Sequence, residues 1–358
     1  MIVVMAPKIA DKTAPNSEEK SAAKKKVSLA LQGGGSHGAY TWGVVDALLE
    51  DDRLEIEGVC GTSAGGMLAS SIVQGLVKDG NRGARKSMNQ YWTMFGDIGK
   101  TSPIQFNPYD KAMKNFTITN NPLLRTMMIL TGIFSPYQLN PLNVNPLRDF
   151  VEKFFDFDLL QSAKKYKLFL CATHVATGKL KVFTGEEISL ETILASACIP
   201  SIFQAIEHDG EYYWDGGYIG NPAIFPLIYY CDTPDIIVIQ IRRVYDPKLP
   251  TTGFAINNRL AEITQNTCLT REMRAIAFIT KLIDDGIIQR GKLKRLYMHM
   301  IRDDMFVGSL EQVSGYVVDP DFLKYLYDAG RRFGRNWLKH NFDSIGVKTT
   351  ARIEEDYI

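Results

Sequence analysis

Charge of one sign is missing from this 358-residue chain: 41 basic residues meet 40 acidic ones, a formal net charge of +1. That removes any global electrostatic case for nucleic acid as a partner. Cysteine and histidine are scarce, at five each. Cys60, Cys171, Cys198, Cys231 and Cys268 include no Cys-x-x-Cys pair, and most sit in apolar runs. This argues against a disulfide framework and fits a reducing compartment. Cys60 has a second reading as a reactive thiol, but a buried strand-end cysteine is the simpler one. The histidines show no metal-ligand spacing such as His-x-x-x-His, so no metal site is expected. No apolar run is long enough to span a bilayer, and the chain is expected to be soluble and cytoplasmic, with signal-independent export left open. The opening Met1-Ile2-Val3-Val4-Met5-Ala6-Pro7 is too short for a secretory signal and lacks a basic lead-in.

What is present is ordinary for a globular enzyme: 45% hydrophobic and 23% charged residues. The length allows one large α/β domain or two modest ones. Residues 1–26 are polar and end in Lys24-Lys25-Lys26. They read as a disordered leader, with a basic lipid-contacting tail as the alternative.

Beyond the leader, residues 27–31 form a short apolar run that stops at Gln32 and a glycine cluster, which predicts a buried strand. Trp42, Val45, Leu48 and Leu49 fall at helical spacing in a helix over 39–49. Residues 56–60 predict a second strand and 64–77 a largely buried helix. The order strand, turn, helix, strand, turn, helix predicts an α/β fold, a mostly parallel central sheet flanked by helices on both faces.

Residues 97–147 change character, with prolines at 103, 108, 122, 136, 141 and 146 and a helical piece at 123–130. They are expected to be an insertion, either a lid or an irregular cover. Further strands are expected at 168–173, 179–183, 236–241 and 296–300, with a hairpin around Asp209-Gly210. Helices are expected at 190–197, 256–282 and 321–339. No internal repeat is visible.

Three segments carry chemistry. Gly61-Thr62-Ser63-Ala64-Gly65 matches Gly-x-Ser-x-Gly. A serine on a tight strand-to-helix turn exposes its hydroxyl as a nucleophile, and flanking glycines relieve the strained turn. Gly33-Gly34-Gly35-Ser36-His37-Gly38 joins the first strand to the first helix. Its backbone N–H groups can cradle an anion, either a tetrahedral oxyanion or a dinucleotide pyrophosphate. The dinucleotide reading needs an acid at the end of the second strand. Glu55 and Glu57 lie before or at its start instead, so the oxyanion reading ranks higher. Trp214-Asp215-Gly216-Gly217 holds an aspartate at a loop end. Desolvation beside Trp214 would raise the Asp215 pKa far enough for it to act as a base.

In these three segments the sequence resembles the patatin-like phospholipase family, which combines a glycine loop, Gly-x-Ser-x-Gly and Asp-Gly-Gly in this order. Ser135-Pro136-Tyr137, Asn140-Pro141-Leu142, Asn145-Pro146-Leu147-Arg148, Ala195-Ser196-Ala197-Cys198-Ile199-Pro200 and Gly220-Asn221-Pro222 are similar to its bacterial branch. The resemblance covers about 27–300. It implies a three-layer α/β/α domain over 27–300, interrupted by the insertion 97–147 and followed by a helical extension, 301–358. It also implies a Ser63–Asp215 catalytic dyad and oxyanion donors among Gly33, Gly34, Gly35 and Gly38. Gly61, Gly65, Gly216, Gly217 and His37 would support the motifs, with no metal or organic cofactor. His37 stands where the family often has Arg or Lys, which puts fixed positive charge at the glycine loop in doubt.

The implied activity is hydrolysis of a phospholipid or another acyl ester, with peripheral membrane contact as an expectation. Phe106, Tyr109, Phe116, Ile129, Ile133, Phe134 and Tyr137 would line an acyl-chain site, touch a bilayer or sit in the core. An acyltransferase with the same nucleophile and a dinucleotide-binding protein are the alternatives. A Ser–Asp–His triad would have to draw on His299 or His340, the two histidines after Asp215. Neither sits in a loop signature, and His174, His208, His299 and His340 are all expected to be structural or surface residues. Oligomeric state is not legible.

Overall fold

Alternation with a period of two decides the centre of the molecule. In β1 (Lys25–Leu31), Val27, Leu29 and Leu31 enter one apolar core and Ala30 the other. β2 (Leu54–Thr62) follows α1 (Gly38–Glu50) and is buried along most of its length. Strands buried on both faces are the signature of a parallel sheet covered by helices. A computed structural model, which describes residues 23–289 and 291–358, has this architecture.

The other strands are β3 (Lys167–His174), β4 (Leu180–Phe183), β5 (Ile206–His208), β6 (Glu211–Asp215), β7 (Asp235–Ile239) and β8 (Tyr297–Ile301). The eight-stranded sheet runs β5-β6-β3-β2-β1-β7-β8, with β4 paired to β3. The neighbours from β3 through β8 are parallel, whereas β4, β5 and β6 run antiparallel to their partners. On one face, α1, α2 (Ala64–Gly99) and the helix Pro320–Asn341 share a core with Leu29, Val59 and Ile237. On the other, the helices Phe225–Tyr230 and Gly253–Asp284 cover Ala30, Cys60 and Val238. This is the expected three-layer α/β/α arrangement.

Several expectations change in detail. Most of the expected leader lies outside the described residues. Lys25 and Lys26 belong to β1, and Lys25 Nζ donates to the Ile345 carbonyl at 2.8 Å, so they are no part of a free tail. The helix after Ser63 does not stop at 77. It breaks at Asp79 and Gly80, then resumes to Gly99. Ala84, Met88, Tyr91, Trp92 and Phe95 carry that second half onto the core at helical spacing. Residues 97–99 of the expected insertion therefore belong to α2.

Within the insertion, Phe106 and Phe116 are core residues whose rings pack at a tilt against Phe322. Tyr109, Ile129, Ile133, Phe134 and Tyr137 are exposed. No helix among the described residues is long and apolar enough to cross a membrane.

Candidate active site

Ser63 follows β2 directly and caps α2 with φ of 58° and ψ of −127°. Such a backbone costs a non-glycine residue on the order of 1–3 kcal/mol and persists only where its surroundings hold it. Here the Ser63 amide donates to the Ser196 carbonyl at 3.0 Å and to Ser196 Oγ at 3.1 Å. Its carbonyl accepts from Met67 N–H at 3.0 Å. The flanking glycines are needed for close approach: a Cβ at Gly65 would meet the Leu31 carbonyl, and one at Gly61 the Gly65 carbonyl.

Asp215 reaches Ser63 through strand register. β2 pairs with β3 up to Thr62 opposite Cys171. At the next position of β3, Ala172 pairs with Asp215 of β6. Ala172 also pairs with Lys181 of β4, so β6 lies on the edge that β2 has just vacated. The end of β6 thus abuts the end of β2, with Ser63 one residue beyond Thr62. The Asp215 amide donates to the Cys198 carbonyl at 2.7 Å, and its carbonyl accepts from Thr173 Oγ1 at 2.8 Å.

The Asp215 side chain is buried, and Gly217 N–H donates to its Oδ1 at 2.7 Å. Burial raises its pKa from 3.8 to about 6, against the opposing influence of the nearby Ser63 hydroxyl, the Gly217 amide and the charge of Arg242. Trp214 is not what buries it. Successive strand residues face opposite sides, and Trp214 packs against the core beneath α1 and α2. Ile199, Tyr218 and Tyr316 line the cleft around Asp215 instead.

Gly33, Gly34 and Gly35 form one wall of this cleft, a narrow space of about 70 Å³ over Ser63 and Asp215. A Cβ at Gly33 would stand 2.8 Å from Ser63 Cβ, so the loop needs glycine there to pass Ser63. Gly35, at φ of 60°, would collide through a Cβ with the Gly315 carbonyl. The four expected oxyanion donors separate by their hydrogen bonds. Gly33 N–H is taken by Asn221 Oδ1 at 2.6 Å, and Gly38 N–H by the carbonyls of Gly35 and Ser36. These two corrections leave the amides of Gly34 and Gly35 as the pair without a partner among the described residues.

His37 is buried and turned away from the cleft. Ser314 Oγ donates to the Glu311 carbonyl at 2.7 Å, so it accepts the Nε2–H of His37 at 2.8 Å. Burial and Arg242 lower the His37 pKa to about 3, so the imidazole is neutral. Positive charge reaches the loop from Arg242 instead, which follows β7 and lines the cleft. Gln32 Oε1 accepts from the amides of Ile241 and Arg242 at 2.9 Å each, fastening that segment to the residue before the glycine loop.

Sequence reading passed over Gln32, Arg242, Gln265, Gln312 and Tyr316, and saw Asn221 only as part of a motif. Gln312, Gly315 and Tyr316 come from the C-terminal extension, so that segment helps to form the cleft. No residue of 97–147 lines it. The insertion flanks it: Gln204 Nε2 donates to the Asn140 carbonyl at 2.8 Å, and Tyr137 Oη accepts from Ala205 N–H at 3.3 Å.

The histidines give no triad. His299 Nε2 is bonded to Asp235 Oδ1 at 2.9 Å, at the far end of β7 from the cleft, and His340 Nδ1 is 2.8 Å from the Asn336 carbonyl on an exposed turn. His174 faces Glu211, and His208 packs edge-on against Phe183. Glu55 and Glu57, the acids a dinucleotide would need, pair with Lys165 and Lys167 at the opposite end of β2. Cys60 is fully buried, and burial pushes its thiol well above the usual range, so it is no nucleophile.

A serine on a strained strand-to-helix turn, a buried aspartate and a glycine loop thus meet at one cleft of an α/β/α sheet. The family model described as patatin-like phospholipase matches residues 29–228. The match takes in more than half of the chain, and the chain belongs to that family of lipid hydrolases. It ends short of the span of 27–300 expected from the sequence, so Arg242, Gln312 and Tyr316 lie outside it.

Among solved structures, VipD from Legionella pneumophila is similar at a TM-score of 0.35 and 15% identity, with 88% of this chain and 68% of that one covered. The ExoU-SpcU complex from the type III secretion system of Pseudomonas aeruginosa gives a TM-score of 0.36 and 13% identity, covering 90% of this chain and 52% of that one. This chain therefore spans about half of the latter. Likeness at these scores adds nothing to the family assignment, which stands on the sequence model. No curated protein matches the chain significantly.

Proposed function

We propose that the chain is a lipid acyl hydrolase working through a Ser63–Asp215 dyad. The reading is carried by one observation: the meeting ends of β2 and β6 bring Ser63 and the buried Asp215 side chain to one cleft. With a pKa of about 6, Asp215 is a stronger base than an ordinary carboxylate and can still hand a proton back near neutral pH.

As Ser63 Oγ attacks the ester carbonyl carbon, Asp215 accepts its proton. The carbonyl electron pair moves onto oxygen, and the amides of Gly34 and Gly35 receive it. Each such donor typically contributes about 3 kcal/mol to the transition state. When the tetrahedral intermediate collapses, the C–O bond to the alcohol breaks and Asp215 protonates the leaving oxygen. Water then enters, gives a proton to Asp215 and attacks the acyl-enzyme. The fatty acid departs as the proton returns to Ser63.

A lipid substrate fits the surface beside the cleft. Leu123, Met127, Ile129, Leu130, Ile133 and Phe134 are exposed on and after the helix Pro122–Ile133. Arg125 is the lone charge between residues 115 and 147. Exposed apolar surface of this extent marks an interaction site. It is tied through Tyr137 and Asn140 to the 199–206 loop, whose Ile199 lines the cleft. The insertion is proposed to rest on the lipid surface and present single lipids to Ser63.

The test is fatty-acid release from phospholipid vesicles by wild type, Ser63→Ala and Asp215→Ala. Loss of release in both variants is the expected result. Full activity in either one would overturn the dyad. Adding a long-chain alcohol and assaying for its ester separates hydrolysis from acyl transfer.

A further inference from the structure

Arg242 is a buried cation that the dyad does not use. It is 7% exposed, and its Nη1 donates to Gln312 Oε1, while its Nε–H has no hydrogen-bond partner. Burying a guanidinium with an unsatisfied N–H is unfavourable unless an anion arrives to meet it. The acidic groups acting on it, Tyr316, Glu262 and Asp215, do so through space.

The position of the guanidinium says which anion. A Cβ at Gly34 would stand 3.3 Å from Nη2 and 3.4 Å from Nε. A Cβ at Gly33 would stand 2.8 Å from Ser63 Cβ. Adjacent Cα atoms are about 3.8 Å apart, so guanidinium and nucleophile flank consecutive residues of one loop. That loop holds the two unpartnered amides, of Gly34 and Gly35. His37, the loop's own basic side chain, is bonded to Ser314 and adds no charge. The Gln32 clamp on the Ile241 and Arg242 amides fixes the arginine backbone against the same loop.

We propose that Arg242 completes the oxyanion hole, its guanidinium charge stabilising from behind the glycine loop the negative oxygen formed when Ser63 attacks an ester carbonyl. This rests on the acyl-hydrolase reading above. As the Ser63 Oγ–C bond forms, the carbonyl π pair moves onto oxygen beside Arg242. The charge leaves that oxygen when the C–O bond to the alcohol breaks. Arg242 stays protonated throughout and transfers nothing. Charge aimed at the transition state in a water-poor site lowers the barrier without tightening substrate binding.

The experiment compares wild type, Arg242→Gln, Arg242→Met, Arg242→Lys and Ser63→Ala on two substrates. One is a short-chain p-nitrophenyl ester, which has no phosphate. The other is phosphatidylcholine in vesicles. The Met variant removes a buried charge without exposing a void, so it keeps a folded comparison available if Gln does not fold. The expected result is a kcat about 100- to 1000-fold lower in the Gln and Met variants on both substrates. KM should change less than about threefold, as for a group acting only in the transition state. The Lys variant should fall between them and wild type.

A loss confined to phosphatidylcholine and expressed in KM would overturn the proposal and make Arg242 a phosphate-binding residue. An unchanged kcat in a folded Gln or Met variant would also overturn it. If Ser63→Ala matches wild type, the hydrolase reading itself falls, which is a separate outcome.

Discussion

The amide of Gly33 donates to the side-chain oxygen of Asn221 at 2.6 Å, joining the glycine loop to the segment just after Asp215. Asn221 is buried, returns a bond from Nδ2 to the Gly33 carbonyl at 3.4 Å, and accepts at its own carbonyl from Gln32 at 3.2 Å. One side chain therefore ties the glycine loop to the segment that follows Asp215.

Asn221→Ala leaves the Gly33 amide buried without a partner. Such an orphan costs about 1–3 kcal/mol, readable as a lower urea midpoint at unchanged slope. The freed loop also misplaces the Gly34 and Gly35 amides, so kcat should fall while KM changes little. A variant of full stability and full kcat would show that the loop holds itself.

Asp215 gives a pH dependence of defined sign. As the base it must be ionised, so kcat/KM should rise with pH and level off above an apparent pKa of about 6. His37 contributes nothing in this range because its pKa is lowered to about 3. An acid limb that persists unshifted in Asp215→Glu would assign it to another group.

The same shift has a cost in stability. Because the folded pKa is raised from 3.8 to about 6, the folded state holds this proton more tightly than the unfolded chain. Its favourable contribution is complete below about 3.8 and is lost as pH rises through about 6. The loss amounts to roughly 3 kcal/mol at 1.36 kcal/mol per pKa unit. Asp215→Asn should therefore be inactive yet more stable than wild type at pH 7, by thermal denaturation. Equal stability of the two proteins at pH 7 would contradict the desolvated carboxylate.

His299 separates dyad from triad. His299→Ala strips buried Asp235 of one partner, leaving the Gly346 amide at 2.7 Å. It should destabilise by about 1–3 kcal/mol and leave ester hydrolysis per folded molecule unchanged. Loss of turnover in a folded variant would revive the triad.

Ile129→Glu with Ile133→Glu tests the apolar surface. Both side chains are exposed, at 62% and 68%, so the pair should fold normally. Vesicle co-sedimentation and hydrolysis of vesicle lipid should both fall, while hydrolysis of a soluble short-chain ester stays the same. Equal vesicle binding would remove the insertion from lipid contact.

Legibility in the sequence followed chain distance. Ser63 and the strand and helix around it could be read because nucleophile, turn and flanking glycines are contiguous. Asp215 could be read only through a motif. The register that brings it to Ser63, Thr62 opposite Cys171 and Asp215 opposite Ala172, joins strands about 150 residues apart in sequence, and no local pattern encodes it. Arg242, Gln312 and Tyr316 stayed invisible for the same reason: each is an ordinary residue until the sheet and the C-terminal turn deliver it to the cleft. The second half of α2 carried a helical signal from Ala84 to Phe95, hidden behind Asp79-Gly80, where the backbone does break. The glycine loop was legible as a connection between the first strand and the first helix. Which of its amides were free was not, since Asn221 and the short 3-10 turn Gly35–His37 claim two of them.

The central claim is most directly tested by peptide mass spectrometry after treatment with a fluorophosphonate, which captures activated serines. A single adduct on Ser63 is expected in wild type, forming at least about a hundredfold more slowly in Asp215→Ala, given the usual contribution of a positioned base. An adduct on another residue, or labelling of Ser63 at the same rate without Asp215, would contradict the dyad.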